Sequence, residues 1–190
     1  MKKSHSLQQN SPYPPTTIGF QIRRAQKTDA AQIGRVQVDS YLSAYKDLLP
    51  DEYLANFTYE EQEKDWSAWH GDHPEDILMV AEDGGAVIGY ALSREVNDEP
   101  GWGEVAALHV SPLLKRKGVG KALFVESARN LRELGCCSLL IWTLEGNPSR
   151  GFYEHLGGKL NGTKHWVIEE LDFDQVEVCY RWEDITRVGE

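Results

Sequence analysis

A chain of 190 residues has the size of one catalytic domain plus a tail, and 41% apolar with 26% charged residues is the composition of a globular chain that buries a core. Its 20 basic and 30 acidic side chains leave a formal charge of −10, which opposes a nucleic-acid partner and weakly favours cationic ligands. No stretch nears the ~20 consecutive apolar residues of a membrane span. Met1 to Ser6 lead into polar sequence without the apolar centre of a signal peptide, so no membrane partner and a cytoplasmic location are expected.

Residues 1–17, rich in Ser, Gln, Asn and Pro, hold too little apolar surface to offset the entropy of ordering and are expected to form a flexible tail. One domain over residues 18–190 follows. It opens on a short strand, Phe20-Gln21-Ile22-Arg23, and Thr28-Asp29 offers an N-cap to a helix that runs to about Tyr45. Thr58-Tyr59-Glu60-Glu61 has the spacing of a capping box and starts a second helix, ending near Gly71. The runs Ile77 to Ala81 and Val87 to Leu92 flank Glu82-Asp83-Gly84-Gly85, a hairpin signature, and a further strand runs from Glu104 to Val110. A helix from about Val119 to Leu134 carries an apolar stripe and stops at Gly135. Then come a strand from Ser138 to Leu144, a helix from Pro148 to Leu156, and two strands near 164–171 and 176–182. The order predicts a mixed α/β layered domain in which residues 104–144 form a parallel strand-helix-strand crossover. Cys136, Cys137 and Cys179, odd in number and without metal spacing, are expected as buried free thiols.

The most informative segment is Val110-Ser111-Pro112-Leu113-Leu114-Lys115-Arg116-Lys117-Gly118-Val119-Gly120-Lys121, lying between a strand and a helix. Two glycines one residue apart let backbone N–H groups of the loop and first helical turn point at phosphate oxygens, with the helix dipole behind them and three cations beside them. A Walker loop is excluded, because Lys115 and Ala122 stand where it needs Gly and Ser or Thr. A dinucleotide fingerprint fails too, with Leu123 in place of its last glycine.

Lys115 to Gly120 resembles the pyrophosphate loop of the GNAT acetyltransferases, Gln/Arg-x-x-Gly-x-Gly/Ala, with Lys115 replacing the usual first residue. Asn147-Pro148-Ser149-Arg150-Gly151-Phe152-Tyr153 is similar to the second motif of that family. Ile22-Arg23-Arg24-Ala25 and residues 45–54 resemble the start of many bacterial members, so the likeness spans roughly Phe20 to Trp182. It implies a mostly antiparallel sheet of about seven strands flanked by helices, with the parallel crossover at the cofactor site. It also implies acetyl-coenzyme A as acyl donor, no metal, and an amine of a small molecule or peptide as acceptor; a homodimer is compatible with it.

The resemblance assigns coenzyme A binding to Leu108, His109, Val110, Lys115, Arg116, Lys117, Gly118, Val119, Gly120, Lys121, Asn147 and Tyr153. Within it, Val110 N–H would polarise the thioester carbonyl, Asn147 would bond the pantetheine end, and Tyr153 would protonate the departing thiolate. Glu104 matches the place where several members carry a catalytic glutamate. An amine is protonated at neutral pH and must lose a proton before it attacks, which gives that carboxylate its task. Strand alternation puts Glu104 and Val110 on one face and His109, the alternative base, on the other unless a bulge intervenes. Tyr41, Tyr45, Trp66, Trp69, Trp102 and Trp142 are available as core, rim or acceptor-pocket aromatics. Two alternatives remain open: a non-catalytic acyl-coenzyme A sensor, and transfer of a longer acyl group.

Overall fold

The computed structural model describes residues 19–189, so the expected tail lies outside the described residues. The elements are β1 (Gln21–Arg24), α1 (Ala30–Tyr45), α2 (Asp51–Ala55), α3 (Tyr59–Asp72), β2 (Ile77–Asp83), β3 (Ala86–Glu95), β4 (Trp102–Val110), α4 (Val119–Glu133), β5 (Ser138–Leu144), α5 (Arg150–His155), β6 (Lys159–Ile168) and β7 (Phe173–Trp182). They form a seven-stranded sheet in the order β1-β2-β3-β4-β5-β7-β6. Every neighbouring pair is antiparallel except β4 and β5, the expected parallel unit joined through α4.

Local chemistry accounts for most of these boundaries. Thr58 caps α3 by accepting from the Glu61 N–H at 3.3 Å. Gly84 and Gly85 both have positive φ, 58° and 86°, the two-residue turn whose twist suits the β2–β3 hairpin. Asp29 does not cap α1 as expected: its carboxylate is held by Arg23 at 2.7 Å and by the Gln26 N–H at 2.7 Å. The short helix α2 was not expected. β6 begins earlier than predicted, at Lys159, because Gly162, with φ of 107°, lies in a register shift that lets the strand continue.

The sheet is covered unevenly. Ala30, Ile33 and Val36 of α1 and Trp66 of α3 pack on Leu78, Val80, Val87 and Tyr90. On the opposite face Val119, Leu123, Phe124, Ala128 and Leu131 of α4 pack on strands from β2 to β7, joined there by Tyr153 of α5. Cys136 and Cys179 are buried thiols as expected, whereas Cys137 is exposed at the turn after α4.

Strand β4 carries the feature that positions the site. Leu92 pairs with Ala107 and Ser93 with Val105, so Ala106 is an extra residue bulging from β4. A bulge bends its strand and raises the local twist. The β4–β5 ladder ends just before it, with the pair Glu104 and Leu140, although β4 runs on to Val110 and β5 to Leu144. The two strands therefore part, and a gap opens between their C-terminal ends.

Candidate active site

The walls of the gap present backbone polar groups. Ser111 N–H donates to Ile88 O across to β3 at 2.9 Å, and by the two-residue alternation His109 also directs its N–H and C=O to β3. Leu108 and Val110 consequently point theirs into the gap, past the end of the β5 ladder. Their side chains pack against the α4 side of the sheet.

The first turn of α4 closes the mouth. Gly118, with φ of 84°, caps the helix in the left-handed conformation that glycine adopts without a Cβ clash. The first helical bond runs from Ala122 N to Gly118 O, leaving the N–H groups of Val119, Gly120 and Lys121 without intrahelical acceptors at the positive end of the dipole. Gly120 has no positive φ, and a Cβ there would meet Phe152 and Val110 side chains at 3.6 and 3.7 Å, ordinary contact distances. The fold itself does not need glycine at 120. A glycine that the fold does not require keeps the backbone of this first turn bare toward a close-lying ligand.

Around that mouth stand cations in an otherwise acidic chain. Lys115 Nζ lies 3.4 Å from Ser43 Oγ of α1, bridging the loop to that helix, and Lys121 Nζ donates to Gly189 O at 2.9 Å. Arg116 and Lys117 are exposed, and Arg116 has φ of 64°. None of the four has a carboxylate partner among the described residues. A polyanion finds free donors and an N-terminal helix dipole here.

The turn after β5 and α5 carry the second motif. Asn147, buried, donates from Nδ2 to Tyr45 Oη at 3.0 Å and to Thr143 Oγ1 at 2.7 Å, and its Oδ1 accepts from Ser149 N–H at 2.8 Å. It ties α1 to β5 and starts α5, so both of its amide hydrogens are engaged. Tyr153 packs its ring among Phe124, Phe152 and Tyr180. Its hydroxyl makes no hydrogen bond among the described residues, and burial, with the nearby Tyr45 and Tyr180 phenols, pushes its pKa well above the ordinary value.

The bulge at Ala106 corrects the expected facing of β4. Glu104 pairs with Arg94 and His109 with Tyr90, on the side covered by α1 and α3; Val110 faces α4. Glu104 and His109 therefore share a face, and Val110 is opposite, because the extra residue shifts the alternation by one. Glu104 accepts from Arg94 at 2.9 Å and is 18% exposed. His109 stacks on Tyr90 with centroids 5.2 Å apart, and its Nδ1 lies 2.7 Å from Ser40 Oγ of α1. Burial lowers its pKa from 6.5 to about 4.

That shift makes stability pH-dependent. Unfolding frees an imidazole that binds protons below its ordinary 6.5, whereas the folded one resists them down to about 4. The stability so gained is full above the unfolded value and is lost as pH falls through that window, up to about 3 kcal/mol. Thermal melts of His109→Gln should show a smaller drop between these two pH values than wild type; equal drops would mean that the imidazole charges freely in the folded state.

The sequence profile described as the Acetyltransferase (GNAT) family matches residues 42–158, more than half of the chain. The chain belongs to the GNAT family of acetyltransferases. It is 30% identical over 135 residues to the uncharacterised N-acetyltransferase YuaI of Bacillus subtilis, covering 70% of this chain and 76% of that one. Its fold is similar to PaiA N-acetyltransferase from Thermoplasma acidophilum in complex with coenzyme A, with TM-score 0.65 and 16% identity over 84% of this chain and 98% of that one. A similar likeness holds to YncA, a putative acetyltransferase from Salmonella typhimurium with acetyl-coenzyme A, with TM-score 0.63, 20% identity, and 86% and 93% coverage. The family is one of acyltransferases, and the seven-stranded mixed sheet is a GNAT fold.

In this GNAT chain the motif residues fall into three groups. Leu108, Val110 and residues 118–121 belong to the unladdered end of β4 and the start of α4; Lys115, Arg116 and Lys117 to the loop between them; Asn147 and Tyr153 to the turn after β5 and to α5. Among the predicted aromatics, Trp66 is core and Trp69 packs against it. Trp102 and Trp142 lie under Arg181 and Lys164. Tyr41 and Tyr45 join Tyr53, Trp166 and Phe173 around a small buried cluster of Leu49, Leu54 and Leu144. Sequence reasoning missed Ser40, Thr143 and Tyr90. Ser40 did carry a signal, as a hydroxyl four residues after Val36 on the buried stripe of an amphipathic helix, where a polar group needs a partner.

Proposed function

We propose that this chain moves the acetyl group of acetyl-coenzyme A to a primary amine of a small molecule or peptide, by direct attack while both are bound. The observation that carries this reading is the gap between β4 and β5, with unladdered Leu108 and Val110 on one wall and the free amides of α4 at its mouth. The thioester supplies an activated acetyl group, and the chain supplies its surroundings. Val119, Gly120 and Lys121 N–H groups hold the pyrophosphate, with Arg116 and Lys117 as added charge. Val110 N–H, aimed into the gap by the strand pairing, donates to the carbonyl oxygen as negative charge grows on it. Tyr153, whose phenol keeps its proton, gives it to the leaving sulfur. Glu104, on the opposite face of β4 from the Val110 side chain, takes the first proton from the acceptor ammonium.

Thiol release from acetyl-coenzyme A with pooled polyamines, amino acids, aminoglycosides and peptides tests the reading. One pool should release coenzyme A well above the hydrolysis background. Tight coenzyme A binding with no release in any pool would overturn it in favour of a sensor.

Glu104→Gln keeps the size of the side chain and removes its basicity. Turnover should fall most at low pH, where little free amine exists, and recover as pH rises. A variant that matched wild type across the range would show that the first proton goes to another group or to water.

A further inference from the structure

An ammonium that becomes an amide loses two protons from nitrogen, so transfer needs a second acceptor after Glu104 has taken the first. We propose that His109, held in place by Ser40, is that acceptor. The proposal rests on the acetyl-transfer reading above and adds to it a group on this chain that touches the attacking nitrogen.

The geometry is specific. Ser40 Oγ donates to Gln37 O at 3.0 Å, and the same oxygen lies 2.7 Å from His109 Nδ1. A serine hydroxyl has one proton, so both contacts are satisfied together only if Nδ1 carries the imidazole proton and donates it to Ser40. Nε2 is then the lone-pair nitrogen, and it makes no hydrogen bond among the described residues. The ring is fixed by stacking on Tyr90, and the Tyr90 hydroxyl is itself buried without a partner. A polar cluster is thus built into the interface of α1, β3 and β4, one residue from Val110 and beside the unladdered stretch of β4.

The groups facing the imidazole are Ser40 and Tyr41 of α1 and Tyr90 of β3; burial alone depresses its proton affinity, without help from a neighbouring charge. Both phenols are pushed above their ordinary range and stay neutral. A base this weak is a poor acceptor for a free ammonium. It suits a nitrogen that has just bonded to the thioester carbon, where the positive charge makes the N–H acidic. In that step the amine lone pair forms the N–C bond and the N–H bond breaks with its proton passing to Nε2. The C–S bond then breaks with its electron pair on sulfur, and Tyr153 protonates the sulfur. The proton on His109 then leaves to water, and Tyr153 regains its own from water.

The test compares pH profiles. In His109→Gln, with the fastest amine of the thiol-release screen, kcat should fall about 100-fold while the KM for acetyl-coenzyme A stays unchanged. The loss should persist from about pH 7 to about pH 9, because the proton in question exists only after attack. Ser40→Ala should give a smaller loss of the same shape, and it keeps the test decisive if the first variant folds poorly. A kcat equal to wild type, or a loss that disappears at high pH as expected for Glu104→Gln, would overturn the proposal. Nitrogen NMR of histidine-labelled wild type reads the site without turnover: protonated Nδ1 and bare Nε2 at neutral pH support it, and the reverse tautomer or an imidazolium overturns it. A wild type that releases no thiol would instead bring down the acetyl-transfer reading, whatever tautomer is seen.

Discussion

Gly120→Glu should lose coenzyme A affinity by at least about 100-fold and melt no earlier than wild type. The two halves of this expectation have separate causes. Gly120 has ordinary helical φ, and its Cβ would stand at normal contact distance from Phe152 and Val110, so the fold accepts a side chain. Replacing a helical glycine gains up to about 1 kcal/mol, and a carboxylate in the first turn of α4 interacts well with the dipole. That carboxylate, however, takes the place of an anionic ligand at the free amides, and charge-assisted hydrogen bonds of about 1.5–3 kcal/mol each are lost. Gly118→Ala is the contrast, since φ of 84° makes any side chain there strained and should lower the melting temperature. Calorimetry with coenzyme A and melting curves on both variants separate the cases. Unchanged affinity in folded Gly120→Glu would remove the α4 amides from the binding site.

Tyr153→Phe should turn over about 100-fold more slowly, at the low end of the range for a lost general acid, with cofactor affinity and melting temperature near normal. The ring is packed among Phe124, Phe152 and Tyr180, which phenylalanine preserves, and the hydroxyl has no partner whose loss would cost stability. A phenol whose proton affinity is raised by burial keeps its proton at neutral pH but yields it reluctantly. The thiolate of coenzyme A is also a tolerable leaving group, so the deficit should narrow as pH rises. Steady-state rates that stay at wild-type level would reduce Tyr153 to a core aromatic and leave sulfur protonation to water.

Features set by short-range chemistry were legible in the sequence. The Gly84-Gly85 turn, the Thr58 cap, the glycine loop before α4 and the α4 stripe each follow from a few adjacent residues, and they located the strand-loop-helix unit around which the site is built. What the sequence did not reveal depends on contacts far apart in the chain. Alanine at 106 carries no bulge signature; the extra residue is defined by pairing with Leu92 and Ser93 on β3. Without it Glu104 and His109 fall on opposite faces, and the end of the β4–β5 ladder has no visible cause. The contact of Ser40 with His109 joins residues 69 apart. The engagement of Asn147 with Tyr45 joins residues 102 apart, so neither could be read from local pattern.

Whether the gap between β4 and β5 is the acetyl-coenzyme A site can be read from an amide NMR titration of the nitrogen-labelled chain with coenzyme A, which requires no knowledge of the acceptor. The largest shifts should fall on Val119, Gly120 and Lys121 at the mouth and on Leu108 and Val110 along the wall. Saturable binding that leaves those five amides unmoved while shifting others would contradict it.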